Sequence, residues 1–326
     1  MSVLIVEHLD SEVMGWLAER HPVRYAPELA LEPREFRQAL YNVRALVLPP
    51  SVALNAQTLH YAPVLKAVGR VSAGAENIDL DACARASVEV VRSTDASAAA
   101  EAEFMIGALI QMLRRVPVVS EDGLLVGREL GSATVGLIGM TPGARSMAQL
   151  LQAFGARVLG YDPAVHASDG LWLRWHVEPV SLTELMERSD AVCVQLAYYT
   201  RYLGLLGERF LSRCKPHQVM VSLSHSSLFD EAALAEVLAS GQMAAAWFDC
   251  LEPGALEPGR PLHDIDTLQI TPRVASTTLE SRVRSAWAVA RRIDEILNAA
   301  PSGRQPPFRP TAPGDEVDLA LGPGSV

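Results

Sequence analysis

Short apolar runs alternate with longer amphipathic stretches along most of this chain. Residues 3–6 form a continuous apolar run, and over 11–20 the apolar positions recur at helical spacing, which predicts a strand followed by a helix. Residues 45–48, closed by Pro49-Pro50, read as a second buried strand, and 65–71 and 88–91 continue the rhythm. Residues 98–115 contain no proline, are rich in Ala, Leu, Ile and Met, and end on Arg114 and Arg115. Cations in a last turn complement the helix dipole, so this is the clearest helix of the sequence.

The middle of the chain is the most regular part. Residues 134–139 predict a strand, 144–154 a helix and 157–161 a strand that ends in Asp162-Pro163. Such a unit has the size of a mononucleotide-binding βαβ element. Further strands follow at 191–196, 219–223, 243–248 and 268–271 with helices between them, then a long helix over 278–299. Apolar strands alternating with helices predict an α/β fold whose parallel sheets are covered on both faces. After Ser302 the chain is dominated by Pro and Gly, which predicts a disordered tail, including 311–326.

The turn of the central unit, Gly139-Met140-Thr141-Pro142-Gly143-Ala144, carries candidate chemistry. A dinucleotide site wants Gly-x-Gly-x-x-Gly here, for a tight turn, for close approach of backbone to pyrophosphate and for helix–strand packing. This chain supplies Gly139, then Thr141 at the second glycine and Ala144 at the third. Thr141 is the departure: its methyl is expected where phosphate oxygens would sit, with its hydroxyl able to donate to them. Asp162, at the end of the next strand, suits the ribose hydroxyls of NAD and would repel the 2′-phosphate of NADP. Two other readings stay open, Asp162-Pro163 as an ordinary turn or helix start, and a Rossmann-like domain that binds no nucleotide.

Composition narrows the field further. At 326 residues and 49% hydrophobic, the chain has material for two domains. A net charge of −10 argues against nucleic acid as the main partner. Cys83, Cys193, Cys214 and Cys250 are scattered without a CxxC, which predicts reduced core thiols and no metal site. The first residues lack the basic start and apolar stretch of a signal peptide, and no apolar run approaches the ~20 residues that span a bilayer. A soluble cytoplasmic protein is expected.

Several segments in register resemble the D-isomer-specific 2-hydroxyacid dehydrogenases. They are Ser72-Ala73-Gly74-Ala75-Glu76-Asn77-Ile78-Asp79, Ala102-Glu103-Phe104 with Arg114-Arg115, Gly127-Arg128-Glu129-Leu130 running into 135–139, Tyr161-Asp162-Pro163, and the stretches 222–234, 248–253 and 271–272. The resemblance implies two Rossmann-like domains with doubly wound parallel sheets and an active cleft between them. The substrate domain would comprise 1–98 plus 276–310, and the NAD-binding domain 99–275. It also implies hydride transfer between NAD and a 2-oxo or 2-hydroxy acid or related carbonyl compound, and a homodimer. Cofactor contacts are expected from Gly139, Thr141, Pro142, Gly143, Ala144, Asp162, Ser224 and Asp249, and substrate contacts from Ser72, Ala73, Gly74 and Ala75.

The family's chemistry uses an Arg on the substrate carboxylate and carbonyl, a His as proton donor and a Glu paired with that His. Here the Arg position holds His225, the Glu position holds Glu252, and Arg273 follows Thr271-Pro272 where the His belongs. Arginine and histidine have exchanged places, so the catalytic set implied is His225, Glu252 and Arg273. Tyr198, Tyr199 and Tyr202 replace the family's His-x-Pro-Leu-Thr stretch and would crowd the nicotinamide end, or serve as ordinary packing. Beside an NAD-dependent oxidoreductase, two readings remain open at this point: a binding or regulatory descendant, and non-redox chemistry in the same cleft.

Overall fold

The computed structural model describes residues 2–72, 77–93, 95–197, 199–251 and 253–299. The chain divides into two compact units, Met1–Arg92 with Ala286–Val326, and Ser93–Ser285. The breaks lie somewhat before 98/99 and somewhat after 275/276. Arg284 donates to the Ala96 carbonyl at 2.9 Å, which ties both flanking stretches into the second unit.

The first unit is built from β1 (Val3–Ile5), α1 (Ser11–Ala18), β2 (Val23–Tyr25), α2 (Pro33–Ala39), β3 (Ala45–Val47), α3 (Ala56–Leu59), β4 (Ala67–Arg70), α4 (Leu80–Arg85) and β5 (Glu89–Arg92). Its five strands are parallel in the order β2-β1-β3-β4-β5. Successive strand residues point to opposite faces, which explains an unbroken apolar run. Val3 and Ile5 enter one core with Val13, Leu17, Val289 and Ile293. Leu4 enters the other with Phe36, Leu40, Leu46 and Val68.

The second unit begins with α5 (Ala98–Arg115) and a small antiparallel hairpin, β6 (Val118–Val119) and β7 (Leu125–Val126). It continues through β8 (Thr134–Ile138), α6 (Pro142–Phe154), β9 (Arg157–Tyr161), α7 (Gly170–Arg174), β10 (Glu178–Pro179), α8 (Leu182–Arg188), β11 (Ala191–Val194) and α9 (Glu208–Leu211). β12 (Val219–Ser222), α10 (Glu231–Ala239), β13 (Ala245–Phe248) and β14 (Leu268–Ile270) complete the sheet, and α11 (Leu279–Asn298) runs on past the break. The seven strands are all parallel, in the order β10-β9-β8-β11-β12-β13-β14. The chain starts in the middle at β8, builds out to β10, then returns to β11 and grows the other way. This reversal between β8 and β11 opens a crevice at their carboxyl ends, where ligands of such sheets bind.

The helix that follows β8 starts two positions before the expected Ala144. Thr141 is its N-cap, accepting the Ala144 amide at 3.3 Å, and Pro142 fills the first helical position, where no N–H is needed. Gly155 ends the helix in the left-handed region at φ 87°.

Candidate active site

The carboxyl edge of the seven-stranded sheet gathers most of the residues singled out from sequence. Gly139 leaves β8 with φ 95°, and a Cβ there would lie 2.6 Å from the Gln195 carbonyl oxygen, so this turn needs glycine. Asp162 fastens the turn to the end of β9. One of its oxygens accepts the Met140 amide and the other the Ala164 amide, both at 2.8 Å.

The Thr141 hydroxyl does not point outward as a free donor for phosphate. It donates to Gln195 Oε1 at 3.3 Å while accepting the Ala144 amide. An N-cap oxygen is drawn to the orphan amides of its own first turn, and Gln195, arriving from β11, takes the hydroxyl proton. The amides of Thr141 and Gly143 have no acceptor among the described residues. Two amides without a described acceptor at the start of a 13-residue helix, beside a glycine turn and an aspartate, fit the pyrophosphate and ribose of NAD.

The exchanged pair follows β12 and β14, two strands apart, so on the order of 10 Å in the hydrogen-bonding direction. His225 caps the single turn Ser226–Leu228, its Nδ1 accepting the Ser227 amide at 3.1 Å. That bond makes Nδ1 the acceptor and leaves the proton of the neutral ring on Nε2. Ser224 is buried and donates its hydroxyl to the Leu196 carbonyl at 3.0 Å.

Arg273 sits at φ 55°, a conformation that costs a β-carbon residue of order 1 kcal/mol and needs surrounding support. The support is Asp249, only 3% exposed at the end of β13. Its carboxylate accepts the Thr271 hydroxyl and the amides of Val274, at 2.9 Å, and Ala275, at 2.8 Å. The Arg273 amide donates to the Asp249 carbonyl at 2.8 Å. Asp249, expected against the cofactor, therefore spends its described bonds on the loop that carries Arg273.

Sequence reasoning missed three side chains. Glu101, in the first turn of α5, accepts the Ser97 hydroxyl at 2.8 Å, and burial with the nearby charge of Asp249 pushes its carboxyl above the usual range. Gln195, 5% exposed, follows β11 and faces Thr141. In the first unit Glu7, 4% exposed after β1, accepts the amides of Val71 at 3.1 Å and Ser72 at 3.2 Å, and the Ser72 hydroxyl. Both amide and hydroxyl of Ser72 are thus committed to the carboxylate. The legible signal for Glu7 was a charge directly after a fully apolar strand. Ala73, Gly74, Ala75, Glu252, Tyr198 and the tail lie outside the described residues.

Of the other tyrosines, Tyr202 is buried and packs edge-to-face on Tyr199 at 5.8 Å, with the Arg201 guanidinium over both rings. Tyr202 belongs to the core under β11 and β12, which is the packing role. The cysteines are free. Burial pushes the Cys83 thiol up to about 11 and that of Cys214 up to about 12, which leaves both inert. No helix among the described residues is long and apolar enough to cross a membrane.

A doubly wound parallel sheet with a glycine turn, a capped helix and an aspartate at its switch point defines a nucleotide-binding α/β protein. Comparison with known proteins resolves the class further. Residues 106–275 match the model of the D-isomer specific 2-hydroxyacid dehydrogenase NAD-binding domain. The chain is 31% identical to a (S)-sulfolactate dehydrogenase from Chromohalobacter salexigens, over 91% of this chain and 97% of that one. It is 29% identical to a D-3-phosphoglycerate dehydrogenase from Mycobacterium bovis, over 98% of this chain but only 61% of the relative's length. Among solved structures, a D-mandelate dehydrogenase from Rhodotorula graminis shares the fold at a TM-score of 0.75 and 20% identity, covering 90% of this chain and 94% of that one. The chain belongs to the D-isomer specific 2-hydroxyacid dehydrogenase family, whose members are NAD-dependent oxidoreductases.

Proposed function

We propose that this protein interconverts a small 2-oxo acid and its 2-hydroxy acid, with Arg273 gripping the substrate carboxylate or carbonyl and His225 carrying the proton. When bound, NAD(H) supplies or accepts the hydride. The observation that carries the reading is the pairing of two built positions. The His225 ring is held with its proton on Nε2, and the Arg273 loop is pinned in a strained conformation by Asp249. Glu252 would orient the guanidinium. Ser72, Ala73, Gly74 and Ala75 are carried in this reading as substrate contacts, and Ser224 as a cofactor contact.

The test is NADH oxidation with a panel of small 2-oxo acids. His225→Ala should lower kcat by about 10²–10⁴-fold while leaving NADH affinity unchanged, and Arg273→Ala should chiefly raise KM. Wild-type turnover that is indifferent to His225→Ala would overturn the assignment. The double exchange His225→Arg with Arg273→His, which rebuilds the family's arrangement, should not be needed for activity. Activity gained only in that double variant would mean the natural chain has left the parent reaction.

We further read the chain as a cytoplasmic homodimer. Reduced cysteines support the compartment. The exposed apolar side chains Val119, Leu124 and Leu125 on the β6–β7 hairpin support a protein contact. A monomer mass in sedimentation equilibrium at micromolar concentration would contradict the dimer.

A further inference from the structure

The carboxyl of Glu101 lies in the nucleotide-binding turn itself. A Cβ built on Gly143 would stand 2.4 Å from Glu101 Oε2 and 2.5 Å from Gln195 Oε1, so both oxygens crowd one face of that glycine. Gly143 is also the residue whose amide is left open at the head of α6. Two acceptor oxygens, Glu101 Oε2 and Gln195 Oε1, thus stand against the glycine of the turn, and the Gln195 oxygen also accepts the Thr141 hydroxyl.

No cation among the described residues forms an ion pair with Glu101. Arg145 on the facing α6 spends its Nε on the Met140 carbonyl at 2.9 Å. Arg284, near the start of α5, spends its Nε on the Ala96 carbonyl. Asp249, at the end of β13, adds like charge, and the Arg273 backbone is tied to that aspartate. On its own helix Glu101 has only the Ser97 hydroxyl, through Oε1. Oε2 is the oxygen turned to Gly143.

An ionised carboxylate there would repel pyrophosphate at the site built to attract it. A protonated carboxyl would instead offer a hydrogen bond, to Gln195 or to the bound anion. We propose that Glu101 makes cofactor binding proton-linked: the dinucleotide binds with the Glu101 carboxyl protonated, so that binding takes up a proton. Burial and the Asp249 charge already favour the neutral form before any ligand arrives. Because the bound anion favours it further, affinity should fall as pH rises through the interval between the free and bound pKa values.

The inference rests on NAD binding at this turn, and the test separates the two. NADH is titrated into the full-length protein from pH 5.5 to 9 by fluorescence, and by calorimetry in buffers of different ionisation enthalpy. For wild type, the Kd should rise by up to about tenfold per pH unit over part of the range, with uptake approaching one proton. Glu101→Gln, a neutral isostere, should match wild type at the acid end, bind more tightly than wild type at the alkaline end, and take up no proton through this group. Equal pH profiles and equal proton uptake in both proteins would overturn the role of Glu101 alone. A Glu101→Gln variant that melts like wild type yet binds NADH more than tenfold weaker at every pH would overturn it too. No NADH binding by either protein would overturn the cofactor site and this proposal with it.

Discussion

The two edges of the seven-stranded sheet treat half-buried carboxyl groups in opposite ways. At the amino edge Asp190 precedes β11 and accepts the Thr134 amide at 2.8 Å, with Lys215 and His217 each 3.1 Å away. Burial alone would push this carboxyl up, but the Thr134 amide, His217 and Lys215 together hold it below the usual range. At the carboxyl edge Glu101 is shifted upward, and its hydrogen-bond partner among the described residues is the Ser97 hydroxyl. The amino edge closes its charges on one another, whereas the carboxyl edge leaves them for backbone loops and ligands. Perturbed groups without an internal partner are where function is expected in such a sheet.

The contrast can be broken by substitution. The largest stability effect is expected from Asp249→Ala, which strands the Val274 and Ala275 amides and releases the Arg273 loop. About 3 kcal/mol should be lost, measured by urea unfolding, together with most of the activity. A loss below about 1 kcal/mol would show that the loop holds itself.

Asp190→Asn should cost about 2 kcal/mol at pH 7, because the amide cannot satisfy Thr134, Lys215 and His217 together. The sign follows from a depressed folded pKa. The contribution is fully present above the unfolded value of about 3.9 and is lost as pH falls through the folded one. Wild type and variant should therefore converge in acid, near pH 3 and below, without any change in NADH affinity.

Glu101→Gln should have the smallest effect on stability and the opposite pH dependence. A raised folded pKa means the native state binds more protons, so wild type loses stability as pH rises from about 4.3 through the folded value. The variant should melt within error of wild type at pH 4 and roughly 1–3 °C higher at pH 8. A variant less stable at pH 8 would mean that the folded protein stabilises the Glu101 carboxylate, and that the two edges are not as different as they look.

Much of this architecture was legible from residues alone. The apolar run over residues 3–6 read as a strand, and residues 134–161 read as a strand–turn–helix–strand, because these are properties of neighbours in the chain. The same local logic placed strands ahead of His225 and Arg273, and the family resemblance singled out these two residues. It could not orient Thr141, whose hydroxyl chooses among partners only once Gln195 has arrived from β11. Nor did two-residue strands such as β6 and β7 leave a pattern long enough to read.

Strand order, and with it the crevice between β8 and β11, was decided by the crossover that returns the chain from β10 to the middle of the sheet. That crossover brings Gln195 to the turn after β8, and the packing of α5 brings Glu101 there. In sequence Glu101 is one charge in an alanine-rich helix. Its character comes from Gly143 and Asp249, which only the packed sheet sets beside it. Periodicity reports which face of an element is buried; the charge state of a group depends on what other elements place within a few ångströms of it, and that is a property of the tertiary structure.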